Sequence, residues 1–190
     1  TWTGTTWSSA EDPGTIPLAG AAFFTLPGGA VGFHGGVVDV GAGGISADFV
    51  GRGVNGQLGW KSTALQGSPA LAYHAAAYHE GDEVTVLFGG MDTAITVSQD
   101  TFHVVTTLGT SSFQTPSLLS APPGRFAAAM AYGNAPGLDH VVLYGGATFV
   151  DTAPLSDVWM YSPSGGWAPV AVQGVPQRQN HAMAFEEGTG

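Results

Sequence analysis

The chain contains no cysteine among its 190 residues. Disulfide bonds, thiolate catalysis and cysteine-ligated metal sites are therefore excluded. The absence does not select a compartment, because a bacterial exported protein and a cytosolic protein can both lack cysteine.

Basic residues are scarce as well. Four lysines and arginines stand against fourteen acidic residues, which gives a formal net charge of −10. The basic residues are scattered singly along the chain, as Arg52, Lys61, Arg125 and Arg178. Because clustered basic side chains are needed to hold a phosphate backbone, no nucleic-acid partner is expected.

Charged residues make up only 9% of the chain, against about 25% in a typical soluble domain. The 30 glycines and 12 prolines favour many tight turns and disfavour long helices. Residues 13–38 carry no formal charge, but Pro17, Pro27 and two glycine pairs interrupt them, so no membrane span is predicted.

Four markers recur in the same order with a period of about 53 residues, which indicates internal structural repeats. Apolar runs end in the double glycines Gly35, Gly36, Gly89, Gly90, Gly145 and Gly146. Large aromatic residues recur at Trp7, Trp60, Phe113 and Trp167. Prolines precede runs of small residues at Pro17, Pro69, Pro123 and Pro176. Aspartates precede a further apolar run at Asp48, Asp100 and Asp157.

Each period reads as four short strands, rich in Val, Leu and aromatic residues and separated by Gly, Pro, Ser and Asp. The small residues after each proline suit an inner strand that is crowded near a central axis. The double glycines are predicted to adopt backbone conformations that are unfavourable for residues with a Cβ atom. The large aromatics are predicted to fill the space between neighbouring sheets.

These markers together resemble the kelch repeat, whose four-stranded blades build a β-propeller. The resemblance spans nearly the whole chain and is fullest in the third unit, with Arg125, Asp157, Trp159, Tyr161 and Trp167. It is looser in the first two units, where Ala19 and Leu71 occupy the arginine position. The resemblance implies that Arg125 and Arg178 are framework residues that bridge blades.

The predicted fold class is all-β, a kelch-like β-propeller segment of about 3.5 four-stranded antiparallel blades within a single partial propeller. The predicted divisions are a blade end at 1–16, repeats at 17–68, 69–122 and 123–175, and a blade start at 176–190. Propellers close with about four to eight blades. The chain is therefore expected to belong to a longer propeller or to close with further chains.

The loops that follow the double glycines, 37–47, 91–99 and 147–156, are the best candidates for ligand contact. The candidate binding residues on this rim are Asp39, Asp92, Thr93, Thr148, Phe149 and Asp151. They could recognise ligand hydroxyls or a loosely bound cation, but aspartate also favours loops through ordinary turn chemistry, which is the interpretation preferred here.

The histidines have two interpretations. His74 and His181 share one repeat position, where they could act as ligands or proton shuttles facing a channel, or could pack and hydrogen-bond in the framework. His34 stands where Phe88 and Tyr144 stand in later units. Packing is preferred for all three, because their positions belong to the repeat. No metal and no cofactor is predicted.

Two functions follow. The first is a non-enzymatic binding or structural assembly module, extracellular, periplasmic or on the cell surface, with a saccharide or protein ligand. The second is a carbohydrate-active enzyme, such as a kelch-type sugar mutarotase, with its site in the central channel. The copper site of kelch-like galactose oxidases is excluded, because its tyrosine is cross-linked to a cysteine.

Overall fold

The structure is a computed structural model that describes residues 19–26, 30–39, 44–45, 49–52, 60–63, 65, 67–107, 110–135, 137–150 and 152–186. In these ranges every regular element is a β-strand. Twelve strands form three four-stranded antiparallel sheets, and two more form a short ribbon. No helix in the described ranges has the length and apolar character needed to cross a bilayer.

The first sheet is interrupted in sequence by the ribbon. Its strands, in spatial order, are β1 (Ala22–Leu26), β2 (Ala30–His34), β5 (Phe49–Arg52) and β6 (Trp60–Thr63). The ribbon consists of β3 (Val37–Asp39) and β4 (Gly44–Ile45), which pair antiparallel. The segment 37–47 was expected to be a loop, so the ribbon corrects that expectation.

The second and third sheets follow the chain order without interruption. The second sheet consists of β7 (Ala75–His79), β8 (Val84–Phe88), β9 (Thr101–Thr107) and β10 (Thr110–Gln114). The third consists of β11 (Ala129–Gly133), β12 (His140–Tyr144), β13 (Val158–Ser162) and β14 (Gly166–Val170). The predicted all-β class with four-stranded antiparallel sheets is confirmed.

The sequence markers lie at the strand boundaries. In each sheet the second strand ends immediately before a double glycine, and the third strand begins directly after the marker aspartate. Asp100 and Asp157 are described, whereas Asp48 lies outside the described residues. The double glycine and the aspartate therefore mark the end of each second strand and the start of each third strand.

The first strands of the three sheets lie side by side, because β7 contacts both β1 and β11. One repeat position just before them has positive φ, with values of 73°, 58°, 56° and 54° at Gly20, Tyr73, Ala127 and Asn180. The Tyr73 N–H donates to the Gly20 carbonyl at 2.7 Å, and the Ala127 N–H donates to the Tyr73 carbonyl at 2.8 Å. The Asn180 N–H donates to the Ala127 carbonyl at 2.9 Å. This arrangement of successive sheets around their inner strands is consistent with a β-propeller-like fold.

The core between the second and third sheets is built around Trp167, which is only 4% exposed. Its ring centroid lies 5.0 Å from that of Phe88 in the second sheet. Its indole N–H donates to the Thr101 hydroxyl at 2.9 Å. The ring therefore joins two sheets, as the sequence predicts for the aromatic marker.

Phe113 occupies the same position one unit earlier, with its ring 5.0 Å from that of His34 in the first sheet. Trp60 begins β6, but its side chain is outside the description. Trp7 lies outside the described residues. We call this packing of a marker aromatic between two sheets the wedge role. It is observed at two of the four predicted aromatics.

One prediction about the strands stays untested and another is corrected. The described residues contain three four-stranded sheets, and no described strand pairs with residues 176–186, so the additional half blade remains a prediction. The predicted blade end at 1–16 lies outside the described residues. The second and third proline-led strands begin later than expected, at Ala75 and Ala129. The positive-φ residues Tyr73 and Ala127, which we call left-handed residues, bend the chain before them.

Candidate functional site

The double glycines are junctions between successive units. Gly89 and Gly90 have φ of 71° and 93°. The N–H of Gly90 donates to the Arg125 carbonyl at 2.8 Å, and a Cβ on Gly89 would lie 2.2 Å from that same oxygen. The corresponding pairs are Gly35 and Gly36 with Leu71, and Gly145 and Gly146 with Arg178. Glycine is required here by both the positive φ and the close approach.

Arg125 is buried, at 1% exposure, beside the third of these junctions. Its two terminal nitrogens donate to the two carboxylate oxygens of Asp157 at 2.7 and 2.8 Å. A further bond reaches the Gly145 carbonyl at 3.0 Å. Parallel bonds of this kind fix both partners in one geometry.

Asp157 receives a third bond, from the indole N–H of Trp159 at 2.7 Å. Partial burial alone would raise the pKa of Asp157. The hydrogen bonds from Arg125 and Trp159 outweigh that effect, together with the charge of Arg125, and hold the pKa below its ordinary value. All of these donors and acceptors belong to the third unit. The pair therefore holds the strands of that unit together.

The predicted bridging role of Arg125 is divided between its backbone and its side chain. Its N–H donates to the Ser98 carbonyl of the second unit at 3.2 Å, while its guanidinium binds the third unit. The Arg178 backbone repeats this with the third unit, since its N–H donates to the Leu155 carbonyl at 3.0 Å. The Arg178 residue is exposed.

The predicted rim residue Asp92 stabilises its own turn. Its carboxylate oxygen accepts the N–H groups of Ala94 and Thr96 at 2.9 and 2.8 Å. This is the turn chemistry that was the preferred interpretation of the sequence. Thr93, next to it, is exposed.

Of the remaining predicted rim residues, the structure describes the side chains of two. Thr148 and Phe149 are exposed on the corresponding loop of the third sheet, with Phe149 at 65% exposure. Asp39 ends β3, and its side chain is outside the description, while Asp151 lies outside the described residues. The structure thus places Asp92 and Thr93 on one loop and Thr148 and Phe149 on another.

Two cavities open on this side of the molecule, where the double glycines lie. The first has a volume of about 340 Å³, and we call it the double-glycine cavity. It is lined by Tyr73, Met91, Phe126, Val150, Gln179 and Asn180. The second, of about 510 Å³, includes the predicted Asp92 and Thr93 among its lining residues. The loop 91–99 contributes to both cavities, through Met91 and through Asp92.

The double-glycine cavity combines two aromatic residues with two amide side chains. None of its lining residues carries a formal charge. Aromatic faces cover apolar ligand surface, and amides both donate and accept hydrogen bonds. Such a cavity suits a neutral ligand that has hydroxyl groups and an apolar face.

These cavity residues were not predicted from the sequence. Tyr73 and Asn180 share the left-handed repeat position, and Phe126 and Gln179 share the position before it. Alignment of the units would have shown that residue type varies at both positions while the surrounding markers persist. Such variation on a constant framework is the signal that could have located the cavity.

A third cavity, of about 410 Å³, lies along the inner strands, and we call it the inner-strand cavity. Its titratable lining residues include Glu80 and Tyr132. The Tyr132 hydroxyl donates to the Asp139 carboxylate at 2.6 Å. Desolvation and this hydrogen bond raise the pKa of Tyr132 to about 12, so its hydroxyl stays protonated at neutral pH.

The histidines are engaged in packing and hydrogen bonds. His34 and His74 are buried, and a ring nitrogen of each lies 3.0 Å from one of the other. Burial, with a smaller contribution from His34, holds the pKa of His74 well below its ordinary value. His181 packs edge-on against Tyr144 at 4.9 Å between ring centroids. These contacts support the packing interpretation.

Another inter-sheet pair joins His103 and Tyr161, whose ring nitrogen and hydroxyl lie 2.6 Å apart. Burial lowers the pKa of His103. Burial and the negative charge of Asp82 raise the pKa of Tyr161 to about 12. In the ranges that the structure describes, no group of three histidine or acidic side chains is arranged to hold a metal ion.

Comparisons with known proteins identify the fold and not a family. No family model matches the chain, and no curated protein matches it. A solved structure titled "Structure of YjhT" is similar, with a TM-score of 0.66 and 17% sequence identity. The match covers 87% of this chain and 49% of that chain, so this chain spans about half the length of that relative.

Proposed function

We propose that the chain is a kelch-like β-propeller segment that acts as a non-enzymatic binding or assembly module outside the cytoplasm. Its framework supports the kelch assignment. The Arg125–Asp157 pair, the close-packed double glycines and the Trp167 wedge are the repeat markers, and each connects strands or sheets. Further repeats or further chains complete the propeller in this proposal.

The ligand is a neutral saccharide or a protein segment, and the double-glycine cavity receives it. The observation that carries this proposal is the lining of two aromatic and two amide side chains without formal charge. The pair Gln179 and Asn180 offers hydrogen bonds to hydroxyls, while Tyr73 and Phe126 offer ring faces. A saccharide has both kinds of surface.

A glycan-array screen tests this proposal, with Gln179→Ala as the cavity variant. The matched control is Gln173→Ala, which removes the same side chain from an exposed position outside the cavity lining. We expect a neutral glycan to bind the unmodified chain and the control, and to bind the cavity variant about tenfold more weakly. Equal binding by both variants would place the ligand elsewhere.

The second candidate, a carbohydrate-active enzyme, is supported by the inner-strand cavity. Glu80 lines it, and a carboxylate is one of the groups that proton transfer in sugar ring opening or hydrolysis requires. Mutarotation and hydrolysis assays on the bound glycan distinguish the two candidates. Turnover that Glu80→Gln abolishes would replace the binding-module proposal, and binding without turnover would support it.

A further inference from the structure

The second cavity on the double-glycine side, of about 510 Å³, differs in charge from the double-glycine cavity. Its lining includes two acidic residues, Asp92 and Asp100, and no basic residue, so we call it the acidic cavity. Asp92 stabilises its own turn through Oδ1, and its negative charge still acts on the cavity. The volume lies in the range of small-molecule binding sites.

Asp100 holds the repeat position of Asp157, whose partners are known from the third unit. There the Asp157 oxygens accept two hydrogen bonds from the guanidinium of Arg125 and one from the indole N–H of Trp159. The guanidinium also donates to the Gly145 carbonyl at 3.0 Å. The third unit therefore shows how a planar cation lies beside an aspartate at this position.

The second unit has apolar residues in place of both of these donors. Leu71 stands where the third unit has Arg125, and it is buried. Phe102 stands where the third unit has Trp159. Both replacements line the acidic cavity, and in the described ranges no basic side chain forms an ion pair with Asp100. The second unit thus keeps the carboxylate and has no guanidinium at the corresponding position.

The groups around this carboxylate are held in place. The Ser98 hydroxyl donates to Oδ2 of Asp100 at 3.1 Å, and the Asp100 N–H donates to the Ser98 hydroxyl oxygen at 2.9 Å. The Phe102 ring packs edge-on against Phe113, with 6.4 Å between ring centroids. A guanidinium can pair with a carboxylate through its planar fork and also stack on an aromatic ring. An ammonium group lacks this planar geometry.

We propose that the acidic cavity binds the guanidinium group of a ligand, which pairs with Asp100 as Arg125 pairs with Asp157. The apolar stem of the ligand lies against Leu71 and Phe102. An arginine side chain of a partner protein and a free guanidinium compound share this chemistry. Because the acidic cavity and the double-glycine cavity have different linings, this site is separate from the proposed saccharide site, although the loop 91–99 contributes to both.

The test is an NMR titration of the 190-residue chain with N-acetyl-arginine amide. We expect saturable shifts of the backbone amides of residues 98–102. The matched ligands are N-acetyl-citrulline amide, which has nearly the same shape without the positive charge, and N-acetyl-lysine amide, which has the charge without the planar fork. The citrulline compound should bind about tenfold more weakly or worse, and the lysine compound about threefold more weakly.

Two substitutions in the chain identify the site. Asp100→Asn removes the carboxylate charge and is expected to weaken binding of the arginine compound by about tenfold. Leu71→Arg introduces the side chain that the third unit has at this position, and it should abolish binding because its guanidinium pairs with Asp100. The matched control, Glu83→Gln, removes one exposed negative charge outside the cavity lining and should leave binding unchanged.

Because Leu71 is buried, circular dichroism first establishes whether Leu71→Arg folds, and if it does not, Asp100→Asn and the ligand series decide. The inference is overturned by an absence of saturable shifts at residues 98–102 or by equal binding of the arginine compound and either matched ligand. Equal losses of binding in Asp100→Asn and Glu83→Gln, or no loss in Asp100→Asn, would also overturn it.

The source of the guanidinium is identified by comparing free arginine with the acetylated amide. Tighter binding of free arginine indicates a small molecule, and equal or weaker binding indicates an arginine within a polypeptide. Glycan binding by Asp100→Asn is measured in parallel, and we expect it to be unchanged. Failure of the guanidinium site and failure of the saccharide site are therefore seen separately.

Discussion

The guanidinium of Arg125 and the carboxylate of Asp157 hold each other by two parallel hydrogen bonds of 2.7 and 2.8 Å across 32 sequence positions. Arg125 is buried, whereas the Asp157 side chain is 39% exposed. The pair ties the start of the third unit to the strand that begins after Asp157. Its position in the repeat makes it the clearest place to test the framework.

Asp157→Asn is expected to lower the free energy of unfolding by about 2–3 kcal/mol, because it leaves a buried guanidinium without its counter-charge. The expected loss of stability is no larger than that usual for breaking a fully buried ion pair, because the Asp157 side chain is partly exposed. Urea denaturation measures the change.

Asp100→Asn is the matched control for that substitution. Asp100 holds the same repeat position in the second unit, where Leu71 stands in place of the arginine. We expect a change within about 0.5 kcal/mol. Equal losses at the two positions would show that the ion pair does not stabilise the third unit.

Gly89→Ala is expected to destabilise the chain by more than about 4 kcal/mol or to prevent folding. The added methyl would lie 2.2 Å from the Arg125 carbonyl oxygen, and the backbone φ of 71° is also unfavourable for alanine. Chemical denaturation and circular dichroism report the loss.

Gly137→Ala separates the two causes. Gly137 also has positive φ, at 84°, but a Cβ there would meet nothing within 4 Å. We expect a loss of about 1 kcal/mol from the backbone conformation alone. If both variants lost the same amount, close approach between units would not explain the double glycine.

Acid is expected to destabilise the chain below pH 6.5. Burial lowers the pKa values of His74, His103 and His181 from 6.5, so the unfolded state takes up protons first as the pH falls. The stability contribution is complete above pH 6.5 and decreases below it, with a slope of at most about 1.4 kcal/mol per pH unit for the fully buried His74 and a smaller slope for His103 and His181.

His74→Gln isolates the largest of these effects, because glutamine can hydrogen-bond but does not titrate in this range. Free energies of unfolding are measured between pH 7 and pH 5.5, above the range where carboxylates titrate. The variant should show a shallower pH dependence than the parent chain. An unchanged slope would mean that His74 is protonated equally in the folded and unfolded states.

The face of the first sheet that carries Phe23 and Val31 is expected to bind apolar surfaces. Phe23 and Val31 are 64% and 42% exposed, while Met130 and Val141, at the same repeat positions of the third sheet, are buried against the second sheet. Phe23→Ser should reduce binding of a hydrophobic dye and self-association, with a stability change within about 1 kcal/mol.

Phe149→Ser provides the comparison, because Phe149 is equally exposed, at 65%, but lies in a loop rather than on a sheet face. It should alter dye binding less than Phe23→Ser. A larger effect at Phe149 would indicate that the loop, and not the sheet face, is the adhesive surface.

The sequence predicted the framework because its markers have strict physical requirements. A Cβ does not fit at Gly89 or Gly145, and the wedge position needs a large ring such as Trp167. The same repetition identified the inner strands, since their small residues recur with the markers. Each of these positions tolerates few residue types, so the period is visible in the letters.

The candidate site could not be predicted in the same way. The left-handed position holds a glycine, a tyrosine, an alanine and an asparagine, so its conformation is imposed by backbone bonds to the neighbouring unit and not by residue type. Asp92 uses a carboxylate oxygen within its own turn, which is the interpretation that the sequence favoured, so it did not lead to the cavity. The cavity residues vary between units and therefore leave no periodic signal.

Successive units are joined by backbone hydrogen bonds between their positive-φ residues, beside a common set of inner strands. Solution NMR can detect scalar coupling across individual backbone hydrogen bonds. We expect coupling from the amides of Tyr73, Ala127 and Asn180 to the carbonyls of Gly20, Tyr73 and Ala127, respectively. Fast exchange of these amides, or coupling only to carbonyls within the same unit, would contradict it.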